Sequence, residues 1–430
     1  MLFYRALAAL ALAAYAPWAL LRRALGGRRL GDLTGRFARV PPPDLSGGVW
    51  IHAVSVGEVG VAAGLFAALR RRLPAVPIGV STTTAAGREL AERIFAGRAP
   101  VFAFPFDLEG PVRRALESAR PALVVLTETE IWPLFIRRAT ERGAAVALVN
   151  GRLSERSFAR YRRVRAWLRP TLGRVALFAM QSAEDAHRAD ELGAPADRVY
   201  VLPNLKFDAP FPSEFPDAAR MRAAAAGRSV IVAGSTGEGE EPLVLDAWQR
   251  LPDRPLLVLA PRRPERFDAV ARLVESRGLS LLRRSTAASR LPPPALVDVY
   301  LLDTIGELAS AYREASVAYA GGSLVATGGQ SPIEAWAAGV PVLCGPHMEN
   351  FRAVAAAGEA LGILRRARGV DELAARLGEL LGDPAGLARL SDRSRRLVDE
   401  SRGAAEKTAD LLAGLLQSGA QARQTKESGA

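Results

Sequence analysis

The chain has 430 residues, 49% of them hydrophobic, and its 57 basic against 45 acidic side chains give a net charge of +12. That length predicts two or three domains, and the basic balance favours anionic partners, but no zinc-finger spacing, RNP-like aromatic strand or long Lys/Arg tail points to nucleic acid. One cysteine, Cys344, excludes an internal disulfide and fits a reducing compartment; three histidines and no Asp-x-Asp pair leave no spacing for a protein-ligated metal.

Residues 6–21 are sixteen uncharged, mostly apolar positions. As a helix they span about 24 Å, short of the ~30 Å hydrocarbon core of a bilayer. Adding Met1–Tyr4, with Arg5 snorkelling, completes a crossing. Arg22, Arg23, Arg28, Arg29, Arg36 and Arg39 follow, and positive flanks stay cytoplasmic. Residues 1–30 therefore read as a membrane anchor with a basic flank, placing the rest of the chain inside the cell. A signal peptide ending near Ala14–Ala16 is the rival; it fits less well, because basic residues follow the apolar run and only Arg5 precedes it.

Beyond the anchor, apolar runs alternate with helical patterns. Strands are predicted at Val49–Val56, Ile78–Thr83, Val101–Phe106, Leu123–Glu128, Val146–Asn150, Leu177–Gln181 and Val199–Leu202, with helices such as Gly60–Arg72, Gly110–Ser118, Trp132–Arg142 and Ala183–Leu192 between them. This is the rhythm of a doubly wound parallel sheet. A proline-bearing linker follows over 206–217. The rhythm restarts at Val230–Ala233, Leu256–Ala260, Leu279–Leu282, Val299–Leu302, Val317–Ala320 and Val340–Leu343, and Val370–Leu416 reads as helical. The expected organisation is an N-terminal Rossmann-like domain at 31–205, a C-terminal one at 218–417 and a polar, disordered tail at 418–430. Ligands of such sheets bind beyond the carboxyl ends of the strands, so two facing domains would present their strand-end loops to a cleft.

Uncommon residues gather in those loops. Glu58 directly follows an apolar strand and opens a helix. Glu128 and Glu130 end another and, by period two, face one side. Lys206 is the only lysine before Lys407 in an arginine-rich chain, at the domain junction. Asn150, Asn204 and Asn350, with His52 and His347, occupy similar positions; His187, within a helix, reads as a surface or packing residue. In residues 234–241 (GSTGEGEE), Ser/Thr and glycine could expose N–H groups to a phosphate, or the acids could simply favour the first turn of a helix. In residues 321–335 (GGSLVATGGQSPIEA), Ser331 and Glu334 have capping-box spacing with Pro332 at the first helical position. Residues 152–169 interleave Phe158, Tyr161 and Trp167 with seven arginines, as either a surface for anionic lipid headgroups or a solvated face.

Taken together, these blocks resemble the Kdo transferases, membrane-anchored glycosyltransferases of GT-B fold that move 3-deoxy-D-manno-octulosonic acid (Kdo) from CMP-Kdo to a lipid A precursor. The resemblance rests on SVGE (55–58), TETEIWP (127–133), NGRLSERSF (150–158), LKFD (205–208), GSTGEGEE (234–241), PRRPERF (261–267), DTIGEL (303–308), GGSLVATGGQSPIEA (321–335) and GPHMENF (345–351). It implies that Glu58 is the general base, that Glu128 and Lys206 stabilise the transition state, and that Pro261-Arg262, Ile305-Gly306-Glu307 and Ser331-Pro332-Ile333-Glu334 hold CMP. It implies inverting transfer without a metal or other cofactor, CMP-Kdo being the donor substrate. Gly237, Arg263, Thr327, Gln330 and Ser331 depart from the family pattern, all on the nucleotide side. Two other readings stay open: a GT-B transferase using a UDP-sugar, and a membrane-anchored nucleotide- or lipid-binding protein without catalysis. Oligomeric state is not legible. A helix N-terminus beside Glu58 would lower its basicity, whereas neighbouring acids or burial would raise it.

Overall fold

The apolar runs of the first half become seven parallel strands: β1 (Val49–His52), β2 (Ile78–Thr82), β3 (Val101–Ala103), β4 (Leu123–Thr127), β5 (Ala145–Gly151), β6 (Leu177–Met180) and β7 (Val199–Val201). They lie in the order β3-β2-β1-β4-β5-β6-β7. The computed structural model describes residues 33–211, 214–286 and 297–428. The expected anchor at 1–30 lies outside them. Among the described residues, no helix is long and apolar enough to cross a membrane.

Both faces of this sheet are covered, which is why its strands read as continuous apolar runs. Val49 and Ile51 of β1 point into one core with Val59, Leu65 and Leu69 of the helix Val56–Arg72. Trp50 points into the other, edge-on to Phe102 and Phe135 at 5.0 and 5.2 Å, its indole N–H donating to the Ser81 hydroxyl at 2.7 Å. Strand β1 ends at His52 and the helix begins at Val56, so the expected strand Val49–Val56 is four residues too long.

A second parallel sheet holds β8 (Val230–Thr236), β9 (Leu256–Pro261), β10 (Leu281–Arg283), β11 (Val299–Leu301), β12 (Val317–Ala320), β13 (Val342–Cys344) and β14 (Leu364–Arg366), in the order β10-β11-β9-β8-β12-β13-β14. The α/β class and the two doubly wound sheets are as expected. Strand β14 was not anticipated: it is a three-residue edge strand, and two of the three are arginines.

The chain divides into two compact units, but not where sequence alone put the second boundary. One unit runs to Pro210 and regains the chain from Ser401; the other is Phe211–Glu400. The expected C-terminal domain at 218–417 therefore ends early. Helices Val370–Leu381 and Pro384–Glu400 stay with the second unit. The helix Ala404–Ser428 belongs to the first, where Ala404, Ala405, Ala409, Leu412 and Leu416 join the core around Val59 and Phe66. Its backbone continues through the tail expected to be disordered from Ser418, because Gln, Ala, Arg, Lys and Glu all propagate a helix well. Most of the first stretch of the expected linker is also structured. Leu205–Asp208 forms a 3₁₀ turn with Leu205 and Phe207 buried, and the Asp208 carboxylate accepts from the Gly403 and Ala405 N–H groups at 2.8 Å each.

Candidate active site

In the first sheet the connections diverge between β1 and β4, which pair side by side, Val49 opposite Leu123 and His52 opposite Leu126. That switch point is where an open α/β sheet offers its binding crevice. Glu58 enters it from the first turn of the helix Val56–Arg72 and is only 7% exposed. Its Oε2 accepts from the Val54 N–H at 2.9 Å and from the Thr127 hydroxyl at 2.9 Å, and its Oε1 from the Ser55 hydroxyl at 3.1 Å. Burial and then the charge of Glu128 push the Glu58 carboxyl above its ordinary range, outweighing the three hydrogen bonds that favour the carboxylate. Burial and an acidic neighbour, the two influences expected to raise its basicity, are both present at Glu58.

Glu128 and Glu130 do not follow the two-residue alternation expected of them, because the strand stops at Thr127. Glu128 takes a left-handed backbone, φ 56°, costly for a residue with a Cβ. Its N–H remains on β5, donating to the Val149 carbonyl at 2.8 Å. Its carboxylate lies 3.1 Å from the Lys206 ammonium, both side chains about four-fifths buried. Thr129 turns to Arg152, whose N–H donates to the Thr129 hydroxyl at 3.0 Å. Glu130 comes within electrostatic reach of Glu58, Glu128 and Tyr161.

Gly64 admits the lysine-bearing turn. A Cβ there would lie 2.7 Å from the Asp208 carbonyl oxygen, so any side chain would push Leu205–Asp208 off the helix that carries Glu58. The three expected catalytic residues therefore gather at the carboxyl ends of the strands of one sheet. Sequence reasoning missed Ser55, Thr127 and Gln181, which hold them in place. Gln181 follows β6 directly and was open to the same strand-end criterion that picked Asn150 and Asn204. His52 satisfied that criterion and is nonetheless internal: it stacks on Phe104 at 3.8 Å, and burial holds its pKa down to about 3. His187 is a surface residue, 2.9 Å from Glu191. Phe158, Tyr161 and Trp167 pack back onto the core, leaving arginines as the outer row of that basic segment.

Glu130 gives this site a pH signature. Burial, reinforced by Glu58 and Glu128, raises its carboxyl from 4.5 to about 7. Between those values the native chain holds a proton that the unfolded chain has released, so stability falls as pH rises through the window. Glu130→Gln should raise the unfolding midpoint relative to the unsubstituted chain at pH 8 and leave it unchanged at pH 4. Equal shifts in thermal melts at the two pH values would show that this carboxyl does not titrate there.

The second unit carries the remaining expected residues, again at strand carboxyl ends. Its switch point lies between β8 and β12. There Ser235 is left-handed, φ 54°, and the β8–β9 register slips between Gly234 and Thr236. Gly321 is required at this point, since a Cβ would meet the Ser235 carbonyl oxygen at 2.5 Å. Two of the three acids of residues 234–241, Glu240 and Glu241, prove to be scaffolding, whereas Glu238 is exposed. Glu240, fully buried, accepts from the Gly237, Ser323 and Leu324 N–H groups at 2.7, 2.8 and 2.9 Å, from the Tyr319 hydroxyl at 2.8 Å and from the Gly322 N–H. Glu241 takes both arms of Arg266 at 2.6 and 2.7 Å.

Pro261 ends β9, and the next residue, Arg262, is exposed while its N–H donates to the Thr236 carbonyl at 3.1 Å. Ile305 and Gly306 (φ 84°) form the loop after β11, and Glu307 is clamped by Arg284 at 2.9 and 3.0 Å. The expected capping box at Ser331 is not formed as drawn. The helix is only Ile333–Ala337 with Pro332 as its N-cap, and the Ser331 hydroxyl meets the Ile333 N–H at a long 3.4 Å. Glu334 lies in the first turn of that helix.

Residues 29–209 match the family model described as 3-deoxy-D-manno-octulosonic-acid transferase (kdotransferase). The chain is 37% identical over 410 residues to the 3-deoxy-D-manno-octulosonic acid transferase of Bordetella pertussis, covering 92% of this chain and 94% of that protein. It is 33% identical to the Haemophilus influenzae protein of the same name, covering 90% and 91%. Among solved structures, Anabaena HepE in complex with UDP and glucose superimposes with a TM-score of 0.57 at 13% identity, over 88% of this chain and all of that one, a likeness of fold alone.

Proposed function

This chain belongs to the 3-deoxy-D-manno-octulosonic-acid transferase family, and from that premise we propose that it moves Kdo from CMP-Kdo to a sugar hydroxyl of a lipid A precursor, inverting, without a metal. The observation that carries the reading is the constellation at the β1/β4 switch point: a buried, basicity-raised Glu58 beside the Glu128–Lys206 pair. Glu58 takes the proton of the acceptor hydroxyl as that oxygen attacks the anomeric carbon of Kdo. A positioned base of matched pKa contributes typically 10²–10⁴-fold. Glu128 holds the Lys206 ammonium in place, and the ammonium stabilises charge developing at the reacting sugar.

On the second unit, Pro261-Arg262, Ile305-Gly306-Glu307 and Ser331-Pro332-Ile333-Glu334 hold CMP, Arg262 supplying a cation for the phosphate. CMP leaves as the phosphate monoester, so the bond broken is anomeric carbon to phosphate oxygen. Residues 1–30 anchor the chain to the inner membrane with both units on the cytoplasmic side. This part of the reading rests on the uncharged run at 6–21 and the arginines that follow it.

The test is incubation of the full chain with CMP-Kdo, a lipid A precursor and membrane vesicles in the presence of a chelator, read by product mass. The expected product is the precursor heavier by one or more Kdo units, with CMP but not UDP competing. A chain starting at residue 31 should no longer sediment with the vesicles. No mass increase, or competition by UDP alone, would overturn the assignment of donor and acceptor.

A further inference from the structure

Lys206 sits on a short turn, and an ammonium on a flexible four-carbon stem needs that turn fixed if it is to meet one carboxylate in one geometry. The fixing is unusually elaborate. Strands β5, β6 and β7 end side by side, and each bears a side-chain amide at its carboxyl end: Asn150 is the last residue but one of β5, Gln181 follows β6 directly, and Asn204 comes three residues after β7. The Leu205 N–H donates to Asn150 Oδ1 at 2.9 Å. Gln181 Nε2 donates to the Asn150 carbonyl at 2.8 Å, and Asn204 Nδ2 donates to Gln181 Oε1 at 2.9 Å. The Lys206 N–H in turn donates to Asn204 Oδ1 at 2.9 Å. The three amides thus link three strand ends into a chain of hydrogen bonds that terminates on the backbone of Lys206, whose ammonium meets Glu128.

Two costs show that this arrangement is more than a turn. Asn150 is left-handed, φ 54°, within a register slip of the β5–β6 pair between Leu148 and Gly151. Such bulges re-aim a side chain at sheet edges and active sites. The residue is 3% exposed, yet its Nδ2 has no hydrogen-bond partner. A glycine would adopt the same backbone freely and bury no orphan donor. Strain and an unpaired buried amide persist where the geometry they impose is used.

We propose that Asn150, acting with Gln181 and Asn204, is a positioning residue for the transfer reaction: the amide chain sets the height and direction of the Lys206 turn so that its ammonium is held against Glu128. This rests on the functional reading above. The amides touch no reacting atom, and their effect passes wholly through Lys206.

The key variant is Asn150→Gly, which suits the backbone and removes the side chain; Gln181→Met breaks the next link while keeping bulk. Two readouts are needed. Reductive methylation with ¹³C-formaldehyde labels Lys206, Lys407 and Lys426, the only lysines, so the Lys206 dimethylammonium signal is assignable by its loss in Lys206→Arg. In Asn150→Gly that signal should move in the same direction as in Glu128→Gln, with the thermal midpoint within a few degrees of wild type. Transfer from CMP-Kdo should show kcat down 10–100-fold with donor KM within twofold, and Gln181→Met should show a smaller loss of the same kind. An unmoved Lys206 signal, or unchanged kcat with the signal moved, overturns the proposal. If Asn150→Gly does not fold, the same two readouts on Gln181→Met decide. Absence of Kdo transfer by the wild-type chain would instead sink the functional reading, while the Lys206 signal, which needs no substrate, would still score the amide chain.

Discussion

Glu58→Gln should lose 10²–10⁴-fold in turnover while keeping its fold and its affinity for CMP-Kdo. The replacement is informative because the pocket can accept it. The glutamine oxygen, placed where Oε2 was, still receives the Val54 N–H and the Thr127 hydroxyl. The amide nitrogen then donates to the Ser55 oxygen, which accepts as readily as it donates. No buried group is left unpaired. The neutral side chain also removes a charge that burial and Glu128 disfavour, so thermal stability above neutral pH should hold or rise. Loss of turnover with retained stability isolates the proton-accepting role. Near-wild-type CMP release by this variant would falsify that role for Glu58.

The second large effect is structural and falls on the other unit. Glu240→Gln should destabilise Phe211–Glu400 by about 2–6 kcal/mol, the cost of leaving at least two buried donors without an acceptor. Five donors converge on the two carboxylate oxygens. An amide nitrogen at either oxygen site confronts at least two N–H or O–H groups with a further donor, each orphan costing about 1–3 kcal/mol. The expected outcome is a lower urea midpoint for the fluorescence change of Trp248 and Trp336, both fully buried in this unit. A shift worth less than about 1 kcal/mol would mean that the glycine-rich loop after β12 is held by something else.

Much of the fold was legible because buried parallel strands write themselves as short runs of Val, Leu, Ile and Ala bounded by loops, and thirteen of the fourteen strands among the described residues were found that way. Failures cluster where that signal is diluted. Leu364–Arg366 carries two arginines at an edge. Helix Ala404–Ser428 announces itself as a helix, but nothing local says which sheet its Ala405, Ala409 and Leu412 will face. The strand at residue 49 was extended through Val56 because Ala53 and Val54 are as apolar as a strand requires, yet the chain turns at Ser55 and the helix begins.

The same division holds for the site. Glu58, Glu128 and Lys206 stood out because charged residues at strand ends are conspicuous in an apolar, arginine-rich chain. The left-handed backbone of Glu128, which parts it from the alternation with Glu130, is a property of the loop and not of residue spacing. Glu240 and Glu241 read as acids that simply favour the first turn of a helix; only the converging N–H groups and Arg266 reveal them as scaffold.

The return of the chain to its first unit sets an order on biosynthesis. The sheet β1–β7 leaves the ribosome long before Ala404–Ser428, the helix that closes over Val59, Ala62 and Phe66. Between them come the roughly 190 residues of Phe211–Glu400, about 10–40 s of translation at 5–20 residues per second. For that interval a nascent chain displays an apolar flank awaiting its cover, and the later-made unit is the first able to finish. Holding chaperones, or a nearby lipid surface, would find their substrate in that half-built intermediate.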